Sequence, residues 1–218
     1  MSEPVLETQQ TYDAITAEYA RANAPADPEV LKDVDSLAAK LPSGSLVADV
    51  GCGPGYELRL LRERGLRAVG LDLSIGQLRT GLLPGVAQAD MRQLPLRAGS
   101  VDAVWCQAAL LHIPHATVPL VLGEFARVVR PGGVLVLNVA EGDGEGWEVA
   151  VHYRSARRRW FTLHRAQALT DLLTTVGFEV YDKRHITTGR GWMSLHCRRT
   201  QPAGAGPGPG AGAGAGAG

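Results

Sequence analysis

Asp49-Val50-Gly51-Cys52-Gly53-Pro54-Gly55 is the stretch that decides the fold. Ser45-Leu46-Val47-Ala48 precede it, and with Asp49 and Val50 they form a short apolar run of the kind that makes a strand buried on both faces. Beyond it, helical periodicity resumes over 57–64 and stops at Gly65. Three glycines at a strand-to-helix junction remove Cβ atoms where backbone must come close to a nucleotide-like ligand. The same glycines also suit a plain tight turn. Asp72 sharpens the reading, because it lies about twenty residues on, at the end of a second apolar run at 67–71. A carboxylate there can accept hydrogen bonds from both hydroxyls of a ribose.

Outward from this centre the alternation continues. Asp27-Pro28 reads as an N-cap with proline at the first helical position, and Val30, Leu31, Val34, Leu37, Ala38 and Leu41 follow at helical spacing until Pro42-Ser43-Gly44. On the other side, Ser74 caps a predicted helix carrying Ile75, Leu78 and Leu82. A third strand at 86–89 runs into Asp90-Met91, a further carboxylate at the same edge, placed to receive the exocyclic amine of an adenine while the methionine covers the ring. A fourth strand spans 101–106, and a helix from Thr117 shows Val118, Val121, Leu122, Phe125, Val128 and Val129 on one face. Pro131-Gly132-Gly133 turns into a fifth strand at 134–139, and a helix at 165–176 ends at Gly177. The segments 178–184 and 193–198 have no helix between them and so pair antiparallel. The prediction is an α/β, doubly wound sheet covered on both faces, with ligands at the carboxyl ends of its strands.

Bulk properties narrow the function. The 218 residues are 45% hydrophobic and 20% charged, enough for one good core. Lys plus Arg and Asp plus Glu are 22 each, so the basic footprint of a nucleic-acid binder is missing and no nucleic-acid partner is expected. Cys52, Cys106 and Cys197 lie far apart without a Cys-x-x-Cys pair, which predicts no metal site and fits a reducing, cytoplasmic setting. Residues 1–10 are polar, and no apolar run reaches the length of a membrane span, so no membrane partner is expected either.

In motif order and spacing, residues 12–198 resemble the class I S-adenosylmethionine-dependent methyltransferase family, in its small-molecule branch. The resemblance implies a Rossmann-like sheet of seven strands with an antiparallel last strand, and S-adenosyl-L-methionine as cofactor. It implies that the turn carrying Asp49, Gly51, Cys52, Gly53 and Gly55 wraps the methionine moiety, that Asp72, followed by Leu73 and Gln77, holds the ribose, and that Asp90 and Met91 meet the adenine. Gln107, closing the fourth strand, falls near the reactive methyl. Tyr12 and Tyr19 match an N-terminal segment folded over the cofactor. Three parts are expected: a helical segment at 1–44 on or over the cofactor site, a catalytic domain at 45–200, and a disordered Gly/Ala/Pro tail at 201–218. The protein is expected to be a monomer or homodimer that methylates O, N or C of a small molecule.

Other readings remain at this stage. A binding module for S-adenosylmethionine or its demethylated product, acting as sensor or partner subunit, would keep the same cofactor residues. A nicotinamide-dependent oxidoreductase shares the glycine turn, but the spacing to the third glycine differs and no Tyr-x-x-x-Lys pair occurs. Gln107-Ala108-Ala109-Leu110 stands where a nucleic-acid N-methyltransferase would show Asp- or Asn-Pro-Pro-aromatic. His112, just past the fourth strand, is the candidate general base. Arg154, Arg157, Arg158 and Arg159, in a segment that also holds Glu141, Asp143 and Glu145, make either a solvated charged loop or an anion pocket for the acceptor.

Overall fold

A computed structural model describes residues 3–23 and 27–200, and the predicted tail at 201–218 lies outside the described residues. Seven strands form one sheet: β1 (Leu46–Val50), β2 (Arg67–Asp72), β3 (Val86–Gln88), β4 (Val101–Gln107), β5 (Val129–Ala140), β8 (Phe178–Thr188) and β9 (Arg190–Arg199). Their order is β3-β2-β1-β4-β5-β9-β8, with every pairing from β3 through β5 parallel. β9 enters antiparallel between β5 and β8, as the missing helix between the last two segments predicts.

Strand alternation builds the two cores. Val104 and Cys106 of β4 and Leu135 and Leu137 of β5 meet α6 (Val118–Val128) and α7 (Ala166–Thr175) through Leu122, Phe125, Leu169 and Leu173. Ala103, Trp105 and Val136 point the other way, onto α3 (Pro28–Lys40) and α4 (Tyr56–Glu63) through Val34, Leu37, Leu58 and Leu61. Period 2 in the strands and period 3.6 in the helices thus agree on the same packing. α3 is also pinned by a buried charge. Asp33 accepts hydrogen bonds from Ser194 Oγ (2.8 Å), His196 Nε2 (2.7 Å) and Asn138 Nδ2 (3.3 Å), and it pairs with Arg184.

Three expectations need correcting. The helix α5 (Ile75–Gly81) ends before Leu82, whose left-handed backbone (φ 51°) cannot continue the helix and whose side chain is exposed. Val129 opens β5 and is not part of the preceding helix, and β5 runs through Pro131-Gly132-Gly133 with a bulge opposite 101–103. The segment read as a charged loop contains a hairpin, β6 (Glu145–Val149) paired antiparallel with β7 (Arg158–Thr162). The N-terminal segment is helical and holds two helices ahead of α3, α1 (Glu3–Ala14) and α2 (Thr16–Asn23). α1 buries Val5, Thr8 and Thr11, too polar a face for a periodicity reading.

Those threonines have a specific task. Thr8 Oγ1 accepts the Trp160 N–H (2.9 Å), Thr11 Oγ1 donates to the Arg158 carbonyl (2.7 Å), and Glu7 pairs with Arg158 (2.6 Å). α1 therefore satisfies β7 backbone groups that its hairpin partner leaves free, one way a folded protein covers a strand edge. At its other end Asp13 Oδ1 accepts from Ser74 Oγ (2.6 Å) and Gly76 N (2.8 Å), fastening α1 to the start of α5.

Candidate functional site

The carboxyl ends of β1, β2 and β4 open into a cavity that α1 lines from above with Val5, Thr8, Gln9 and Tyr12. A second cavity adjoins it, and Tyr19, Gly51, Gln107 and Ala108 belong to both walls. Local sequence chemistry sets this edge. Gly51 sits at φ 78°, and a Cβ there would lie 2.2 Å from that of Ala109, so the turn admits only glycine. Gly53 (φ 52°) lines the first cavity, and a Cβ there would lie 3.7 Å from the Tyr19 ring. Gly55 plays another part, turning into α4 against Leu83. Cys52 lines only the second cavity, with its buried sulfur in the space left by Gly70. Asp49 is buried beneath the turn outside both walls; desolvation, with Glu57 and Asp72 nearby, pushes its carboxyl well up, and its Oδ2 has no partner.

Asp72 uses both oxygens on the backbone around it. Oδ2 accepts from Gly53 N (2.8 Å) and Oδ1 from Ser74 N (2.7 Å), leaving further lone pairs toward the cavity it lines with Leu73 and Gln77. Burial raises its pKa against those bonds. Asp90 and Met91 line the same cavity. Asp90 is already gripped by Arg92, through Nε (2.9 Å) and backbone N (2.9 Å); burial opposes its charge, but the Arg92 bonds outweigh it and hold the carboxyl below the usual range. Gln77 Oε1 and Gln107 Oε1 are buried acceptors without partners. A cradle that no Cβ fits, a carboxylate with lone pairs toward the cavity and orphaned acceptors suit a ligand that bears hydroxyl and amine donors.

His112 is on the wall, but not as a free base. Its Nδ1 lies 2.6 Å from the Trp160 carbonyl, which only accepts, so Nδ1 carries the proton and Nε2 is the acceptor. Tyr12 Oη donates to that Nε2 (2.7 Å) and itself accepts from Arg159 NH1 (2.9 Å). Burial first, then the charges of Arg159 and Arg190, push the imidazole down to about 3. The expected general base is therefore a neutral ring whose one lone pair is occupied.

The four arginines separate. Arg154 lies in a left-handed turn (φ 54°) and is exposed, as is Arg157. Arg158 pairs with Glu7 and stacks 4.2 Å over Trp147. Only Arg159 turns inward, because neighbours on a strand point to opposite faces. Its guanidinium packs over Phe161 (4.8 Å), Tyr153 (5.1 Å) and Tyr12 (5.8 Å). Sequence reasoning missed this aromatic box; it named Tyr12 and Tyr19 for the segment over the site, but not Val5, Thr8 and Gln9 of α1. The available signal was the run of Trp147, Tyr153, Trp160 and Phe161 inside the charged segment. Among the described residues, no group of three His, Cys, Asp or Glu side chains is placed to hold a metal, and no helix is long and apolar enough to cross a membrane.

Residues 48–137 match the family model described as a methyltransferase domain. Over that stretch, somewhat under half of its length, the chain is similar to methyltransferase domains. Among its relatives, the malonyl-[acyl-carrier protein] O-methyltransferase of Serratia marcescens is 35% identical over 114 residues, 48% of this chain and 44% of that protein. The trans-aconitate 2-methyltransferase of Azoarcus sp. is 40% identical over 112 residues, 47% of this chain and 43% of its own length. The chain thus spans less than half the length of these curated relatives. Among solved structures, magnesium protoporphyrin IX methyltransferase from Synechocystis, with S-adenosylmethionine bound, superposes with a TM-score of 0.71 at 18% identity, over 92% of this chain and 99% of that one. That likeness is one of fold.

Proposed function

We propose that this protein is an enzyme that transfers the methyl group of S-adenosylmethionine to a small-molecule acceptor. The observation that carries the reading is the convergence of Gly51, Asp72, Asp90, Met91 and Gln107 on one cavity that α1 lines from above. In this reading Asp72 accepts the ribose hydroxyls, Met91 covers the adenine, and the orphaned Gln107 Oε1 receives a donor from the amino-acid end. The bound cofactor supplies a sulfonium, which makes its methyl carbon electrophilic. The chain's own contribution is alignment and exclusion of water beneath α1, both of which lower the barrier to transfer. Asp90 serves the adenine amine through whichever lone pairs Arg92 leaves open.

Calorimetry with S-adenosylmethionine, S-adenosylhomocysteine and NADH, followed by transfer of labelled methyl to an acceptor panel, tests this. Binding of the first two and not the third, with label incorporated, is the expected result. Tight binding without transfer to any acceptor would instead support the sensor reading.

A further inference from the structure

We infer that Arg159 anchors an anionic acceptor, and that the group methylated at this site is a carboxylate; this rests on the methyltransferase reading above. The first observation is a cation without a counter-ion. Arg92, Arg158 and Arg190 each pair with a carboxylate, Asp90, Glu7 and Glu148 respectively, but among the described residues no carboxylate pairs with Arg159. Its partners are the faces of Tyr12, Tyr153 and Phe161 and the neutral phenol oxygens of Tyr12 and Tyr153, while its Nε is buried with no acceptor. Buried charge is normally paired, and a guanidinium presents two parallel N–H groups that match the two oxygens of a carboxylate. Tyr12 Oη holds the place of one such oxygen, and the Tyr12 ring is part of the cavity wall. An acceptor carboxylate that displaces the phenol oxygen completes the pair at the cavity's edge.

The second observation is the lack of a free base beside it. Alcohols, phenols and ammonium groups must lose a proton when methylated. His112, the imidazole nearest Arg159 on the wall, has Nε2 occupied by Tyr12 and Nδ1–H by Trp160, and His115 is turned to the Leu163 carbonyl. The carboxylates that face the cavities come from other elements: Asp72 ends β2, Asp90 follows β3, Asp27 and Glu29 stand at the start of α3, and Glu57 and Glu63 lie in α4. A carboxylate acceptor needs no such help, since it is ionised at neutral pH. One of its oxygens bonds to the methyl carbon as the carbon–sulfur bond breaks and the electron pair returns to sulfur. The products are a methyl ester and the neutral thioether, with no proton left over.

The test uses the protein loaded with S-adenosylhomocysteine, and calorimetry with trans-aconitate and malonyl-pantetheine as carboxylate probes, their methyl esters as controls. At least one free acid should bind and its ester should not. Arg159→Gln should weaken that binding roughly 10- to 100-fold, with affinity for S-adenosylhomocysteine unchanged and partial recovery in Arg159→Lys. Tyr12→Phe, which removes one of the neutral oxygens, should keep or tighten carboxylate binding, and this variant decides the matter should Arg159→Gln not fold. With labelled S-adenosylmethionine, the product should release volatile label in alkali, as methyl esters do and ethers or methylamines do not. Carboxylate binding that ignores Arg159→Gln, a loss in Tyr12→Phe equal to that in Arg159→Gln, or label confined to phenol or amine acceptors overturns the inference while leaving the methyltransferase reading intact. A wild-type protein that fails to bind S-adenosylhomocysteine overturns both.

Discussion

Replacing Asp72 by alanine separates two jobs that one carboxylate performs. In the fold, Asp72 accepts from Gly53 N at 2.8 Å and from Ser74 N at 2.7 Å, so the variant leaves two backbone donors without their acceptor. Each orphaned donor costs about 1–3 kcal/mol. Relief of the buried charge offsets part of this, since desolvation raises the Asp72 pKa above its ordinary 3.8. A net destabilisation of about 2 kcal/mol is expected. For the cofactor, losing the ribose bonds to a charged acceptor should cost about 1.5–3 kcal/mol, or roughly 10- to 150-fold in Kd. The pH dependence has a definite sign. With its native pKa raised, Asp72 holds its proton in the fold at pH values where the unfolded chain has lost it, so its ionisation weakens stability as pH rises through that window. Ribose binding runs the other way and strengthens as the carboxylate ionises. Calorimetric titration of wild type, Asp72→Asn and Asp72→Ala, with thermal melts alongside, measures both effects. Undiminished affinity in a folded Asp72→Ala protein refutes the ribose assignment.

His112→Asn should lower kcat only modestly, and wild-type kcat/KM should show no ionisation between about pH 5.5 and 8, because the imidazole stays neutral down to about 3; a limb near pH 6.5 that vanishes in the variant contradicts this. Gly51→Ala combines a positive φ with a Cβ 2.2 Å from Ala109, and should destabilise by about 1–3 kcal/mol and abolish cofactor binding, both read by melts with and without S-adenosylhomocysteine. Asp33→Ala strands Arg184 and three buried donors, and should cost about 3–5 kcal/mol in urea unfolding; a loss below 1 kcal/mol argues against the buried network. Asp13→Ala touches neither cavity but unfastens α1 from Ser74 and Gly76, so cofactor affinity should fall about 5- to 30-fold, and unchanged affinity means α1 is held by its β7 contacts alone.

What the sequence made legible was short in range. The glycine turn, Asp72 and the strands around them announce themselves within a few residues, because burial on both faces forces continuous apolar runs and tight turns force glycine. Leu82 shows the limit of that method: its spacing fits the helix, but its left-handed backbone ends the helix at Gly81. Contacts of long range stayed hidden. Arg159 meets Tyr12 across 147 positions and His196 meets Asp33 across 163, and no local pattern encodes either. The hairpin was obscured for a different reason. Its charged residues suit a solvated loop, whereas the strand partners Trp147 and Trp160 become a signal only once they are opposed.

One residue joins the parts that the sequence kept separate. The Tyr12 carbonyl accepts from Gln77 Nε2 at 3.1 Å, its ring lines the first cavity, and its hydroxyl stands between Arg159 and His112. α1 carries it, and α1 is fastened by polar contacts at both ends, Glu7, Thr8 and Thr11 to β7 and Asp13 to α5. Of these bonds only the Glu7 pair is exposed, and Val5 of the same helix packs into the core that α6 and α7 cover, so lifting α1 carries a packing cost. Lifting it removes one wall of the cavity and one ring of the arginine box together. A ligand that settles under α1 therefore also completes the place where the acceptor is held, which favours cofactor binding ahead of the acceptor.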